Sequence, residues 1–347
     1  MLKLELKKYF DILQIYRGIA ALLVVVFHTY FSFAHYLNFD IKVLAFVADI
    51  GRLGVDFFFV LSGFIIAFTT FKHRGDKKYL KKYLLNRIIR IYIPYLPISI
   101  ALFAIYYYFP NISGGNRSIS LFSSLTLYPL GNLSLAVAWT LIFEMIFYIV
   151  FAINFFSKKV WFYFLAFWIP AIIYATITKQ EFSLPIIKFL FNIYNLEFIM
   201  GIFIAYLIQY QIRLKYSYLL SISIFLLSLF LALKYLEIDP FPFFQNLLFS
   251  LTASSFIFLG VLYWSKKINA RNVFMLIGNS SYSLYLLHLP LQSLLVRIFP
   301  KSESQFIILT EFFAVIVIII ITSYIYYFIF ENKIISTLKD RLKNHIS

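Results

Sequence analysis

The feature that most constrains this 347-residue chain is a hydrophobic stretch of membrane-crossing length, repeated along nearly the whole sequence. At a rise of about 1.5 Å per residue, roughly 20 apolar residues in a helix traverse the ~30 Å hydrocarbon core of a bilayer. Such stretches fall near 12–33, 54–71, 91–109, 137–156, 160–177, 189–208, 217–233, 244–264, 274–296 and 306–330. Hydrophobic residues make up 62% of the chain and charged residues only 13%, too little charge to cover a soluble domain in water. Backbone groups in lipid must be paired within the protein, and runs of this length pair them as helices. The expected fold is an all-α polytopic membrane bundle of about ten transmembrane helices. It forms one domain over residues 1–347 with a short basic tail from about 331. Pro94 and Pro97 lie inside a span, which membrane helices tolerate when neighbours satisfy the loosened carbonyls.

The net charge of +16 would suit a nucleic-acid partner if it were gathered on one soluble face. It is instead divided among the loops. With the N-terminus in the cytoplasm, inside segments carry 22 Lys and Arg and outside segments eight, with Arg17 in the first span completing the 31. That asymmetry follows the positive-inside rule and puts both termini in the cytoplasm. The basic run from His73 to Arg90 then reads as a membrane-surface element facing anionic lipid. The chain has no cysteine, which excludes disulfides, thiolate chemistry and cysteine metal ligands. No metal site is expected.

Ionisable groups inside the spans are costly in hydrocarbon, so they usually face a partner or a cavity. They number few: Arg17, Asp56, Glu144, Glu197, Glu311, His28 and His288. Arg17 and His28 are eleven residues apart on the first helix. They therefore differ by only about 20° in direction and by about 16 Å in depth. One helix face presents a permanent cation near one surface and an imidazole towards the other. By the same rise, His28 lies about 8 Å inside the outer end of its span, and Glu144 and Glu197 about 10–12 Å inside theirs. An imidazole and two carboxylates in one layer suit a general base with an orienting acid. A proton-coupled transporter would place the same residue types there. Asp56 sits near the outer surface, where solvation or a helix N-cap would account for it. Ser62 reads as a packing residue, because small residues are common where membrane helices touch.

Six local strings, in order along the chain, resemble one family. They are Y16-R17 to H28 with its Arg-x10-His spacing, G54-V55-D56-F57-F58-F59-V60-L61-S62-G63-F64, and Arg87-x-x-Arg90 before a proline-bearing span. W139-T140-L141-I142-F143-E144-M145-I146-F147-Y148, L196-E197-F198-I199-M200-G201 and S281-Y282-S283-L284-Y285-L286-L287-H288 complete the set. This is the pattern of the membrane acyltransferase 3 family, the O-acyltransferases related to bacterial O-antigen acetylases. The sequence departs from that pattern at Phe143, where a smaller residue is usual, and at F330-E331-N332, which lacks the expected proline. Many relatives carry a C-terminal soluble esterase-like domain; this sequence stops soon after the tenth span.

The resemblance implies transfer of an acyl group, acetyl by default, from cytoplasmic acetyl-CoA to a hydroxyl of a cell-surface carbohydrate. O-antigen, capsule or exopolysaccharide would be the acceptor, reached in a bacterial plasma or inner membrane. Acetyl-CoA would be a passing substrate, with no permanently bound cofactor; the other partners are the glycan acceptor and membrane lipids. Arg17, Arg87 and Arg90 would hold the donor's phosphates, since planar guanidinium forks suit them. His28 would be the general base, or carry the acyl group transiently, with Glu144 or Asp56 orienting its ring. His288, Trp139 and Tyr148 would line the acceptor path. The alternative is a transporter or flippase for a lipid-linked glycan, which commonly shows inverted repeats; the sequence has no detectable repeat.

Overall fold

The computed structural model describes residues 2–110, 118–238, 240, 243–265, 273–299, 302 and 304–346. Lys266, Lys267 and Arg271, counted above among the inside cations, lie outside the described residues, as do Arg117 and Lys301 on the other side. The chain runs α1 (Leu2–Leu37), α2 (Lys42–Gly51), α3 (Gly54–Thr70), α4 (Lys77–Tyr108), α5 (Leu121–Thr126) and α6 (Trp139–Phe151). It continues through α7 (Lys158–Ile177), α8 (Pro185–Leu190), α9 (Tyr194–Gln209), α10 (Tyr216–Tyr235) and α11 (Phe244–Leu259). Then follow α12 (Val273–Asn279), α13 (Ser281–Ile298), α14 (Gln305–Tyr327) and α15 (Ile335–Ile346). Among the described residues there is no β-strand; an isolated bridge joins Ile119 and Asn132. The expected all-α membrane bundle is what the chain forms.

Among the described residues, eight helical segments are long and apolar enough to cross a membrane. The other two predicted spans are helical but differ in kind. Tyr194–Gln209 is shorter, at 16 residues. Predicted span 274–296 is divided between α12 and α13, and α13 carries Ser281, Ser283, His288, Gln292 and Arg297 among its apolar residues. His73 ends a short 3-10 turn (Phe71–His73), and from Lys77 on the basic run forms the start of α4, which continues unbroken for 32 residues through Pro94 and Pro97. That length is about 48 Å, more than the hydrocarbon core needs, so the lysine-rich first turns extend the span into the interface. Large apolar side chains such as Phe162, Tyr163 and Phe167 are exposed on α7, as lipid-facing residues should be.

The chain divides into two compact units. The first comprises residues 1–13, 56–85 and 142–271. Within it, α3 and α9 approach backbone to backbone at two glycines. A Cβ on Gly63 would meet the Phe198 carbonyl oxygen, and one on Gly201 would meet the carbonyl of Val60 and, at 2.6 Å, the nitrogen of Phe64. Small residues of this kind let membrane helices pack where lipid offers no hydrophobic drive. Aromatic rings fill the space beside that contact: Phe198 stacks on Phe147 at 4.2 Å and lies 4.7 Å from Phe59.

The second unit comprises residues 14–55, 86–141 and 272–347. Here α1 is the element that others meet closely. Gly18 abuts the Phe274 carbonyl, Gly278 the Gln14 carbonyl, and Gly54 the Ala20 carbonyl, each too near for a Cβ. Tyrosines tie the proline-bearing part of α4: Tyr282 donates to the Ile91 carbonyl at 2.9 Å and Tyr326 to the Pro94 carbonyl at 2.7 Å. A short polar knot also belongs to this unit. Tyr95 donates to the Ser124 carbonyl at 2.6 Å, and Ser99 and Ser134 share a bond of 2.9 Å.

Candidate functional site

The two residues singled out on the first span lie in the second unit, on one unbroken helix. The imidazole of His28 faces that of His288 on α13, with ring centroids 5.1 Å apart. His288 is fully buried, and its Nδ1 donates to the Tyr285 carbonyl at 2.7 Å. Since a carbonyl only accepts, this bond puts the proton on Nδ1 and leaves Nε2 as a lone pair. Tyr285 is itself anchored, donating to the Val137 carbonyl at 3.0 Å and sharing a 2.9 Å bond with Thr140.

One turn further along both helices a second pair meets. Gln292, four residues after His288, donates to the carbonyl of His28 at 3.2 Å and to the hydroxyl of Ser32 at 3.1 Å. Thr29 donates in turn to the Gln292 side-chain oxygen at 3.3 Å. Gln292 and Thr29 are buried, so each bond replaces one that water would otherwise supply. This clamp sets the alignment of α1 against α13 and with it the spacing of the two imidazoles. Sequence reading missed it. The signal was present, because Ser32 and Gln292 stand at helical spacing from the two histidines, as polar residues inside apolar runs.

About three turns before His28 lies Arg17, half-buried, in a cluster of charge. Tyr327, at the end of α14, is within electrostatic reach of Glu331, Arg17 and Arg90. Arg87 stands three residues before Arg90 on α4. Glu331 lies in a π-helical turn after α14 and accepts the backbone N–H of Ser283 at 3.0 Å and its hydroxyl at 2.6 Å. Ser283 is the third residue of α13, whose N-cap residue Ser280 makes no side-chain cap. A carboxylate from another helix thus satisfies an N-terminal N–H that the local sequence leaves open. Two of the three predicted phosphate-binding arginines, Arg17 and Arg90, thus act on the same tyrosine, as does the acid Glu331.

The carboxylates predicted to serve the imidazole lie in the first unit, where each has partners of its own. Glu144 accepts hydrogen bonds from Ser62 at 3.2 Å and from Tyr148. Ser62 is therefore more than a packing residue. Tyr148 is buried, with its hydroxyl on Glu144 and its carbonyl accepting from Tyr83 at 3.2 Å. Asp56 is neither solvated nor an N-cap. It is the third residue of α3, only 6% exposed, and accepts from Asn246 at 3.1 Å. Glu197, 1% exposed, faces Asp56 closely enough for the two to interact. Trp139 belongs to the second unit and is partly exposed. Among the described residues no group of three or more His, Asp or Glu is arranged to hold a metal ion.

Membrane-length helices around buried polar clusters define an integral membrane protein with a built internal site. Comparison with known families makes that more specific. The model of a family described as an acyltransferase domain matches residues 10–328, nearly the whole chain, and the protein belongs to that family. It is a multi-pass membrane acyltransferase. No curated protein and no solved structure matches the chain.

Proposed function

We propose that the protein is an O-acetyltransferase of a bacterial plasma or inner membrane. It moves an acetyl group from cytoplasmic acetyl-CoA to a hydroxyl of a carbohydrate destined for the cell surface. The observation that carries this reading is the single helix α1, with Arg17 in one cluster of polar residues and His28 in another about 16 Å away along the axis. That separation suits a donor gripped by its phosphates at one end and presenting its thioester at the other.

In this reading Arg17, Arg87 and Arg90 hold the phosphates through charge-assisted bonds. Neutral His28 takes the proton from the acceptor hydroxyl as the oxygen attacks the thioester carbonyl. The carbon–sulfur bond breaks, the thiolate leaves with CoA, and the proton on His28 passes to that sulfur. Atoms and charge balance with no other reactant. Acetyl-CoA is a substrate that comes and goes. His288, whose ring lies beside that of His28, Trp139 and Tyr148 are the candidates for the acceptor path.

The test uses the full chain in proteoliposomes and the cell surface it acts on. Release of free CoA thiol and acetyl groups on extracted surface glycans should both depend on the protein, the latter read by mass spectrometry. His28→Ala should abolish both while the protein still inserts and melts as the wild type does. Retained acetylation in a folded His28→Ala protein would remove His28 from the mechanism. Glycan transport without any dependence on acetyl-CoA would replace the reading altogether.

A further inference from the structure

His288 presents an arrangement that a packing residue does not need. Its ring is fully buried, its Nδ1–H is committed to the Tyr285 carbonyl, and its Nε2 has no hydrogen-bond partner among the described residues. An unmet acceptor in a buried position is costly and marks a place where a donor is expected. Two polar rings lie beside it: that of His28, at 5.1 Å between centroids, and that of Tyr285, at 5.5 Å, whose hydroxyl is already committed to the Val137 carbonyl and Thr140. A linear N–H···N bond of about 3 Å between two imidazoles puts their centroids roughly 5 Å apart. The rings thus stand at the separation of such a bond and need only a change in ring angle to form it. The Gln292 clamp, on the carbonyl of His28 and the hydroxyl of Ser32, holds the two helices at that separation.

We propose that His288 is the positioning residue of the reaction: its Nε2 lone pair receives the N–H of His28 and so turns the other nitrogen of His28, unprotonated, towards the acceptor hydroxyl. A histidine with its tautomer set by a backbone carbonyl sets the tautomer of the next. When His28 takes the hydroxyl proton, the resulting imidazolium keeps its second N–H on Nε2 of His288, which disperses the charge towards the Tyr285 carbonyl. A neutral acceptor performs the orienting task that a carboxylate performs in a serine protease triad. Two lone pairs facing one another would repel, so the chain Tyr285 carbonyl, His288, His28 has a single favourable direction. The assignment rests on the acyltransferase reading for its kinetic consequence; the tautomer chain itself does not.

The test has a spectroscopic arm and a kinetic arm, so that the two readings fail separately. Full-length protein labelled with 15N-histidine and held in lipid nanodiscs is examined by solid-state NMR, with His28→Gln and His288→Gln spectra assigning the two rings. The expected result is His288 protonated at Nδ1 alone and His28 in one tautomer. His288→Phe, which keeps a ring but no acceptor, should leave His28 in a mixture of tautomers; His288→Gln, whose side-chain oxygen replaces the lone pair, should restore one. Acetyl-CoA turnover in proteoliposomes should fall about 100-fold or more in kcat for His288→Phe, with the KM for acetyl-CoA unchanged and part of the rate recovered in His288→Gln. A proton on Nε2 of His288, or a His28 tautomer that ignores His288→Phe, would overturn the proposal. A correct tautomer pattern with no acetyl-CoA turnover in the wild type would leave the positioning contact standing and remove the acetyl-CoA reading instead.

Discussion

The carboxylate of Glu331 accepts both the backbone N–H and the hydroxyl of Ser283, at 3.0 and 2.6 Å, and so caps a helix that begins 50 residues before it in the chain. The same carboxylate shares a neighbourhood with Arg17 and Arg90 around Tyr327. It is therefore a structural cap set among the groups proposed to bind phosphate. Glu331→Ala should cost about 1–2 kcal/mol, the usual cost of a lost N-terminal cap. Glu331→Gln keeps the acceptor and should lose much less. Thermal unfolding in detergent measures the difference, and equal melting of the two variants would show that the cap contributes nothing.

Arg17 is predicted to act on donor binding rather than on chemistry. Arg17→Ala should raise the KM for acetyl-CoA about 10-fold or more, as expected for a lost charge-assisted bond to phosphate, with a smaller change in kcat. Arg17→Lys should recover only part of that, because a point charge lacks the guanidinium fork. Steady-state kinetics over a range of acetyl-CoA concentrations separates the two effects. A fall in kcat at unchanged KM would move Arg17 from donor binding to the reacting centre.

Ser62 donates to Glu144, the arrangement in which a serine can be mistaken for an activated nucleophile. Tyr148 holds the same carboxylate oxygen, so Glu144 keeps a donor when Ser62 is removed. Ser62→Ala should lower stability by about 1 kcal/mol and leave acetyl transfer largely intact. Loss of turnover in a variant that melts normally would make Ser62 the acyl carrier.

Gly63 lies against the carbonyl of Phe198, and backbone has no room to yield there. Gly63→Ala should separate α3 from α9 and lower the midpoint of thermal unfolding, an overpacking cost of at least about 1–3 kcal/mol. Thr69→Ala, at an exposed position of the same helix, is the control and should melt as the wild type does. Equal midpoints for the two variants would show that the close approach does not hold these helices.

Much of the architecture was legible in the sequence because it depends on local quantities. Helix α1 with Arg17 and His28 on it follows from the length of an apolar run and from 3.6 residues per turn. The contrast between α13 and the other spans was also written in its serines, His288 and Gln292, yet a window average over residues 274–296 treats it as one more apolar stretch. The boundary of α4 was misjudged because a lysine-rich run suggests a break, whereas lysine is a good helix former and its stem reaches out of the interface. The surface reading of Asp56 had a similar cause. Its distance from the end of a span said nothing about Asn246, which lies 190 residues later and donates a hydrogen bond to it.

The sequence by itself determined that the chain is a membrane helical bundle, which residues are too costly to leave in lipid, and which of them share a helix face. Only the tertiary structure decided their partners. His288 stands beside His28, Glu331 rather than a local residue caps α13, and Ser62 and Tyr148 hold Glu144. The physical reason is that hydrocarbon meets every apolar helix on equal terms. Burial in the membrane therefore selects helices without pairing them. Pairing comes from glycines that admit a neighbouring backbone and from hydrogen bonds that span as many as 264 residues, such as that from Gln292 to the carbonyl of His28.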